Sequence, residues 1–197
     1  MTDTALRADA RRNRDTLLES AAEAFAEHGV DTSLEDIARR AGVGIGTLYR
    51  HFPSRDALVI ATYERGVSVL CDAAPTLLAE HPDDPDVALA EWMDRYVEYI
   101  AAKRGLAATL KAAVDGNSEL FVNVRARIYG AADTLLAAAA EAGRIRPDVQ
   151  GSDLLRALGG ICMASDSDGW QEQARRLVAL LMDGLRYGAD ASLAAKL

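Results

Sequence analysis

Cysteine is nearly missing from this chain. Cys71 and Cys162 are the two among 197 residues, far apart and in no metal or redox spacing, so a disulfide framework is excluded. Histidine is as scarce: His28, His51 and His81 sit in unrelated segments, without the spacing of a metal site. No apolar run approaches the ~18 residues of a membrane span. The amino terminus MTDTALRADARRNRD is charged where a signal peptide is apolar. No GxSxG, P-loop or dinucleotide glycine pattern occurs. The fragment Asp166-Ser-Asp168-Gly fails as a calcium loop, because Ala164 and Arg175 occupy its first and twelfth ligand positions. No segment alternates with strand period and no internal repeat is evident. These absences predict an all-α, cytoplasmic, reduced protein that is not an enzyme, with no cofactor, no metal and no membrane partner.

Half of the residues are apolar, enough for a substantial core, and the formal net charge is −8. The charge is uneven: residues 1–58 carry net −2 and the remainder net −6. A chain repelled by phosphate overall can hold nucleic acid only through a small oriented patch. One stretch qualifies, since residues 39–55 hold Arg39, Arg40, Arg50 and Arg55 and no acid.

That stretch lies inside TSLEDIARRAGVGIGTLYRHF, residues 32–52, which reads as two short helices and a tight turn. Thr32 or Ser33 can cap the first helix, each being followed three residues on by an acid, Glu35 or Asp36. Leu34, Ile37, Ala38 and Ala41 form its apolar stripe, and Gly42 ends it in a left-handed conformation. The second helix is predicted over 44–52. With Leu48 inward and ~100° per residue, Gly44, Ile45 and Phe52 fall on the core side. Gly46 and Arg50 then point outward, flanked by Thr47 and Tyr49. A glycine allows close approach, an arginine bonds guanine or phosphate, and hydroxyls reach phosphate oxygens, so this face suits duplex DNA.

The run GVGIGTLYRHFPSRDAL, preceded by a helix ending AFAEHG, resembles the DNA-binding domain of the TetR family of one-component bacterial transcription regulators over roughly residues 12–60. The resemblance implies phosphate or base contact for Ser33, Thr47, Tyr49, Arg50, His51 and Arg55, and an SbtR-type C-terminal domain behind. The sequence departs at Gly44 and Ile45, where the family more often carries a polar pair. Ile45 either touches a thymine methyl or completes the core edge, and its helical angle favours the core.

Residues 1–10 read as a loose arm, and Arg7, Arg11, Arg12 and Arg14 either track phosphates, enter a minor groove or are merely solvated. A helix over 11–28 supports the two that follow. Ser54 caps a further helix running from Arg55 towards Pro75, and residues 81–86 form a connection. Helices are expected over 86–103, 106–114, 119–142, 153–165 and 170–187, with the loop DGNS at 115–118, about nine in all. The expected division is a three-helix helix-turn-helix domain at 1–58 and a larger helical bundle at 59–197.

In the larger part, Trp92, Tyr96 and Tyr99 share one helix face. Phe121 and Ile128 share another with Arg125, whose guanidinium needs a carboxylate, an escape to solvent or an anionic ligand group. These residues read either as plain core or as the wall of a small-molecule cavity. The small residues Ala157, Gly160 and Ala164, with Leu177 and Leu181 on the last helix, are the candidate dimer interface. The expectation is a homodimeric, ligand-responsive repressor that binds a palindromic double-stranded operator and releases it when an unknown small-molecule effector binds. The alternative is a DNA-binding regulator whose larger domain takes a protein partner.

Overall fold

The computed structural model describes residues 3–29, 31–114, 118–164 and 167–187. The eight helices among them are α1 Asp3–His28, α2 Leu34–Arg40, α3 Ile45–His51, α4 Arg55–Glu80, α5 Pro85–Val114, α6 Ser118–Glu141, α7 Gly151–Met163 and α8 Trp170–Arg186, and there is no strand among those residues. The all-α expectation holds, with one helix fewer than about nine. Most of the loop expected at 115–118 and the acidic residue Asp166 lie outside the described residues.

The chain forms two compact units, Met1–Gly66 with Ala101–Ser118, and Val67–Ile100 with Glu119–Leu197. In the first, α1 packs on α2 and α3 through Leu17, Leu18, Ala21 and Phe25, which meet a core containing Ile37, Leu48 and Phe52. Three boundaries differ from the sequence reading. Helix α1 starts at Asp3 instead of following a loose arm, because residues 3–10 are rich in helix formers and hold no glycine or proline.

Helix α4 continues through Pro75 to Glu80. An interior proline costs ~3 kcal/mol or more. Leu70, Ala74 and Leu77 stay buried on the opposite side of that turn, and full burial of one leucine alone returns ~1.5–3 kcal/mol. Helices expected over 86–103 and 106–114 are one, α5, because Gly105 serves contact instead of a break. A Cβ there would lie 3.0 Å from the Phe25 carbonyl oxygen, so glycine lets α5 pass this close to α1 without the backbone having to give.

In the second unit, Trp92, Leu89, Met93 and Leu135 form the core. The Asp133 carboxylate accepts the Gly151 N–H at 2.9 Å at the start of α7, where a Cβ on residue 151 would overlap that carboxylate. α7 packs on α8 with Leu154, Leu158, Cys162, Ala174, Val178 and Met182 buried.

Candidate nucleic-acid interface

Helix α2 is fixed at both ends. Ser33 is the N-cap, its Oγ accepting the Asp36 N–H at 3.1 Å and donating to Glu35 at 3.1 Å. Thr32, the other candidate cap, is buried and donates instead to the carbonyls of Gly29 at 2.9 Å and Ala24 at 3.2 Å, tying the loop to α1. At the far end Gly42 takes a φ of +69°, with its N–H on Arg39 O and the Val43 N–H on Ala38 O, which closes the last carbonyls.

Helix α3 then lies on α2 and α1, with Leu48 and Phe52 buried. Its outward face is the expected one. Gly46 and Arg50 are exposed, Tyr49 is 48% exposed, and Thr47 and His51 are half-buried, the His51 ring 6.2 Å from that of Phe52. Two side assignments change. Gly44 is exposed, because it is the extended N-cap of α3, at φ −72° and ψ 149°, and helical angles do not apply to it. Ile45 is half-buried, on the border between the core and the outward face.

The arginine patch is smaller than the sequence count gives. Arg39 pairs with Asp36 at 2.5 Å. Arg40 pairs with Glu27 at 2.8 Å, and the bonded guanidinium holds the Glu27 carboxyl below the usual carboxylate range. Counting residues 39–55 alone left out Asp36, one turn back, and Glu27 at the end of α1. Arg55 is half-buried and donates to the Thr32 carbonyl at 2.7 Å, so it braces the start of α4 against the loop before α2. Arg50 has no acidic partner among the described residues. Of the four, it is the one whose charge faces solvent uncompensated.

The candidate ligand residues divide. Trp92, Tyr96 and Tyr99 are buried and form a chain of ring contacts, with centroids 6.0 and 5.9 Å apart, and the Trp92 indole N–H donates to the Leu70 carbonyl at 2.8 Å. Ile128 is buried, but Phe121 is 38% exposed, because it lies in the first turn of α6. Arg125 is exposed and donates to the Tyr129 hydroxyl at 3.0 Å, its guanidinium 5.3 Å from that ring. Its inward placement from spacing is therefore corrected: the guanidinium escapes to the surface along a tyrosine of its own helix. Of the candidate dimer residues, Ala157, Leu177 and Leu181 are half-buried, and Gly160 and Ala164 are exposed, as are Met163 on α7 and Leu180 on α8.

Comparisons with known proteins agree with this architecture. Residues 17–62 match the model of bacterial regulatory proteins of the tetR family, and residues 84–187 that of the SbtR-like transcriptional regulator C-terminal domain. A TetR transcriptional regulator from Streptomyces coelicolor is 46% identical, covers 88% of this chain and 98% of its own, and superposes with a TM-score of 0.81. A TetR regulatory protein from Mycobacterium vanbaalenii is 38% identical, with 92% and 99% covered and a TM-score of 0.72. An HTH-type transcriptional regulator of Staphylococcus aureus (strain MRSA252) is 35% identical over 96 residues, covering 45% of this chain and 50% of its own. The chain thus matches about half the length of that curated relative. The chain belongs to the TetR family of bacterial transcriptional regulators, with a C-terminal domain of the SbtR-like kind.

Proposed function

We propose that the protein is a homodimeric repressor that reads a palindromic operator with α3 and releases it when a small molecule binds the C-terminal domain. The observation that carries the DNA reading is the outward face of α3. Leu48 and Phe52 hold the helix in the core, while Tyr49 and Arg50 stand in solvent with no acid among the described residues for Arg50 to neutralise. Thr47 at the edge and Gly46 between complete a face suited to a phosphate backbone and base edges. Ser33, His51 and Arg55 are secondary contacts in this reading, since Ser33 and Arg55 already serve the fold.

Residues 1–58 carry this DNA-reading role, and residues 59–197 the effector and dimer roles, in the cytoplasm where the operator is. The dimer reading draws on the outward faces of α7 and α8, where Met163 is 69% exposed with Gly160 and Ala164 on α7, and Leu180 is 67% exposed on α8. Two-fold symmetry then implies inverted half-sites about one helical turn, ~34–36 Å, apart, or a multiple. The effector reading draws on the buried aromatic chain of Trp92, Tyr96 and Tyr99, with an apolar or aromatic molecule as its ligand. Such a ligand must bind the released form more tightly than the DNA-bound form, or nothing shifts. A second reading, a protein partner in place of the small molecule, draws on exposed Phe121 and Val122 on α6.

The test is selection of duplexes from a random pool, followed by a thermal-shift screen of small molecules and a release assay on the selected operator. An inverted repeat and a compound that both raises Tm and frees the duplex are expected. A pool that returns no enriched sequence would remove the DNA reading. An operator that no compound releases, but a captured protein does, would favour the second reading.

A further inference from the structure

The side of α1 that packs on α2 and α3 carries Leu17, Leu18, Ala21, Ala24 and Phe25, all buried. Followed back at three- and four-residue steps, the same stripe runs from Leu18 and Leu17 to Arg14 and from Arg14 to Arg11. The helix face that is core lower down is therefore arginine above the core, and it faces the same way. A contact fixes that direction: the Arg14 guanidinium lies 5.5 Å from the centre of the Phe52 ring, and Phe52 is the residue that ends α3.

Arg11 and Arg14 are both exposed, and neither has a carboxylate partner among the described residues. Among the acids of α1, Asp9 bonds Arg12, Glu19 pairs with Arg65 at 3.7 Å, Glu27 pairs with Arg40 and Glu23 acts on that same guanidinium, while Asp15, one turn after Arg11, is half-buried without an ion pair among the described residues. Arg12, about 160° around the helix from Arg14 at ~100° per residue, is the arginine the fold neutralises. Among the described residues no contact accounts for Arg11, and the ring contact of Arg14 leaves its charge in solvent.

We infer that Arg11 and Arg14 form a phosphate-binding rail, which continues the duplex contact of α3 along the sugar-phosphate backbone. The inference rests on the reading of α3 as the DNA-reading helix. Phosphates carry no base identity, so the rail adds affinity and orientation without adding sequence preference. Each arginine that neutralises a phosphate releases counterions and contributes about 0.9 to the slope of log K against log salt.

The experiment measures operator and random-duplex binding across a salt series for the parent, Arg11→Gln, Arg14→Gln, the double variant, Arg14→Lys, Arg12→Gln and Arg50→Ala. The expected result is a slope shallower by about 0.9 for each single glutamine and about 1.8 for the pair, equal on both duplexes. Arg14→Lys and Arg12→Gln should keep the parent slope. A double variant with the parent slope, while Arg50→Ala loses operator preference, would overturn the rail and leave the reading helix standing. A slope lost in Arg14→Lys as fully as in Arg14→Gln would also overturn it, since Arg14 would then act through Phe52 and not through charge. A parent that prefers no duplex would take the reading helix and the rail down together.

Discussion

Asp86 and Arg186, one hundred residues apart, meet at 2.7 Å. Asp86 stands in the first turn of α5, where the helix dipole already favours an anion, and is buried; Arg186 reaches it from the last turn of α8. Removing the cation leaves a buried carboxylate with the dipole alone. Arg186→Ala should therefore cost more than a surface pair, ~0–1 kcal/mol, and less than a fully buried one, ~3–5 kcal/mol, because the arginine is half-exposed. Urea unfolding should place the loss at about 1–3 kcal/mol; a variant as stable as the parent would show that the pair does not anchor α8.

Gly46 separates what the fold needs from what a ligand needs. Its φ is not in the left-handed region, it sits inside α3, and a Cβ built on it meets nothing within 4 Å. Alanine at a helical glycine gains up to ~1 kcal/mol. Gly46→Ala should thus raise stability and, if a duplex lies against this backbone, weaken operator binding. Opposite signs in unfolding and binding titrations are the expected pair of results; improved stability with unchanged binding would place the duplex farther from α3.

Arg50 and Arg55 are five residues apart and should behave differently. Arg50 is uncompensated on the outward face, so Arg50→Ala should leave unfolding unchanged and cost ~1–3 kcal/mol of operator discrimination if it bonds a guanine edge. Arg55 bonds the Thr32 carbonyl, so Arg55→Ala should lower stability by ~1.5–3 kcal/mol, the worth of a hydrogen bond to a charged group. Equal stability loss in both variants would place Arg50 in the fold.

The contrast between these two arginines shows what was legible in the sequence. Local rules acted as read at Ser33, Gly42, Leu48 and Ser54, because caps, a left-handed glycine and helical spacing depend on neighbours within one turn. What failed depended on residues far along the chain: Glu27 takes Arg40 out of the basic patch, and Phe25 turns Gly105 from a break into a contact. Of the three outcomes left open for Arg125, the structure takes the escape to solvent, along Tyr129 one turn on. Helical angle also says nothing about a residue such as Gly44 that lies just outside the helix.

Lys103 makes stability depend on pH. Its ammonium sits 5.8 Å from the Tyr63 ring with no carboxylate partner among the described residues, and burial holds its pKa below the usual lysine value. With the folded pKa below the unfolded one, the unfolded chain binds more protons in the window between them. Stability should therefore rise with pH through that window and level off above ~10.4. Lys103→Met should be more stable than the parent at pH 7, with the difference closing above that pH. Parallel Tm profiles across pH 7–11 would show that the ammonium is not desolvated.

Gly160 poses the question of Gly46 on the other unit. It is exposed on α7, its Cβ position is open to 4 Å, and Ala164, Met163 and Leu180 around the α7–α8 surface are exposed as well. Within one copy a Cβ at 160 meets nothing within 4 Å and the position faces solvent, and leucine gains helix propensity, so Gly160→Leu should leave the subunit folded or slightly steadier. Where a second copy packs its helices on this surface, the added side chain has to enter a close helix-helix contact, where excess volume costs ~1–3 kcal/mol on each side of the two-fold. The parent should sediment as a dimer at micromolar concentration and the variant should shift to monomer at the same concentration. Operator binding should fall with it, because one short reading helix covers too few base pairs for tight specific binding. A parent that sediments as a monomer yet binds its operator tightly would remove the dimer; a dimer unaffected by the leucine would move the interface away from α7.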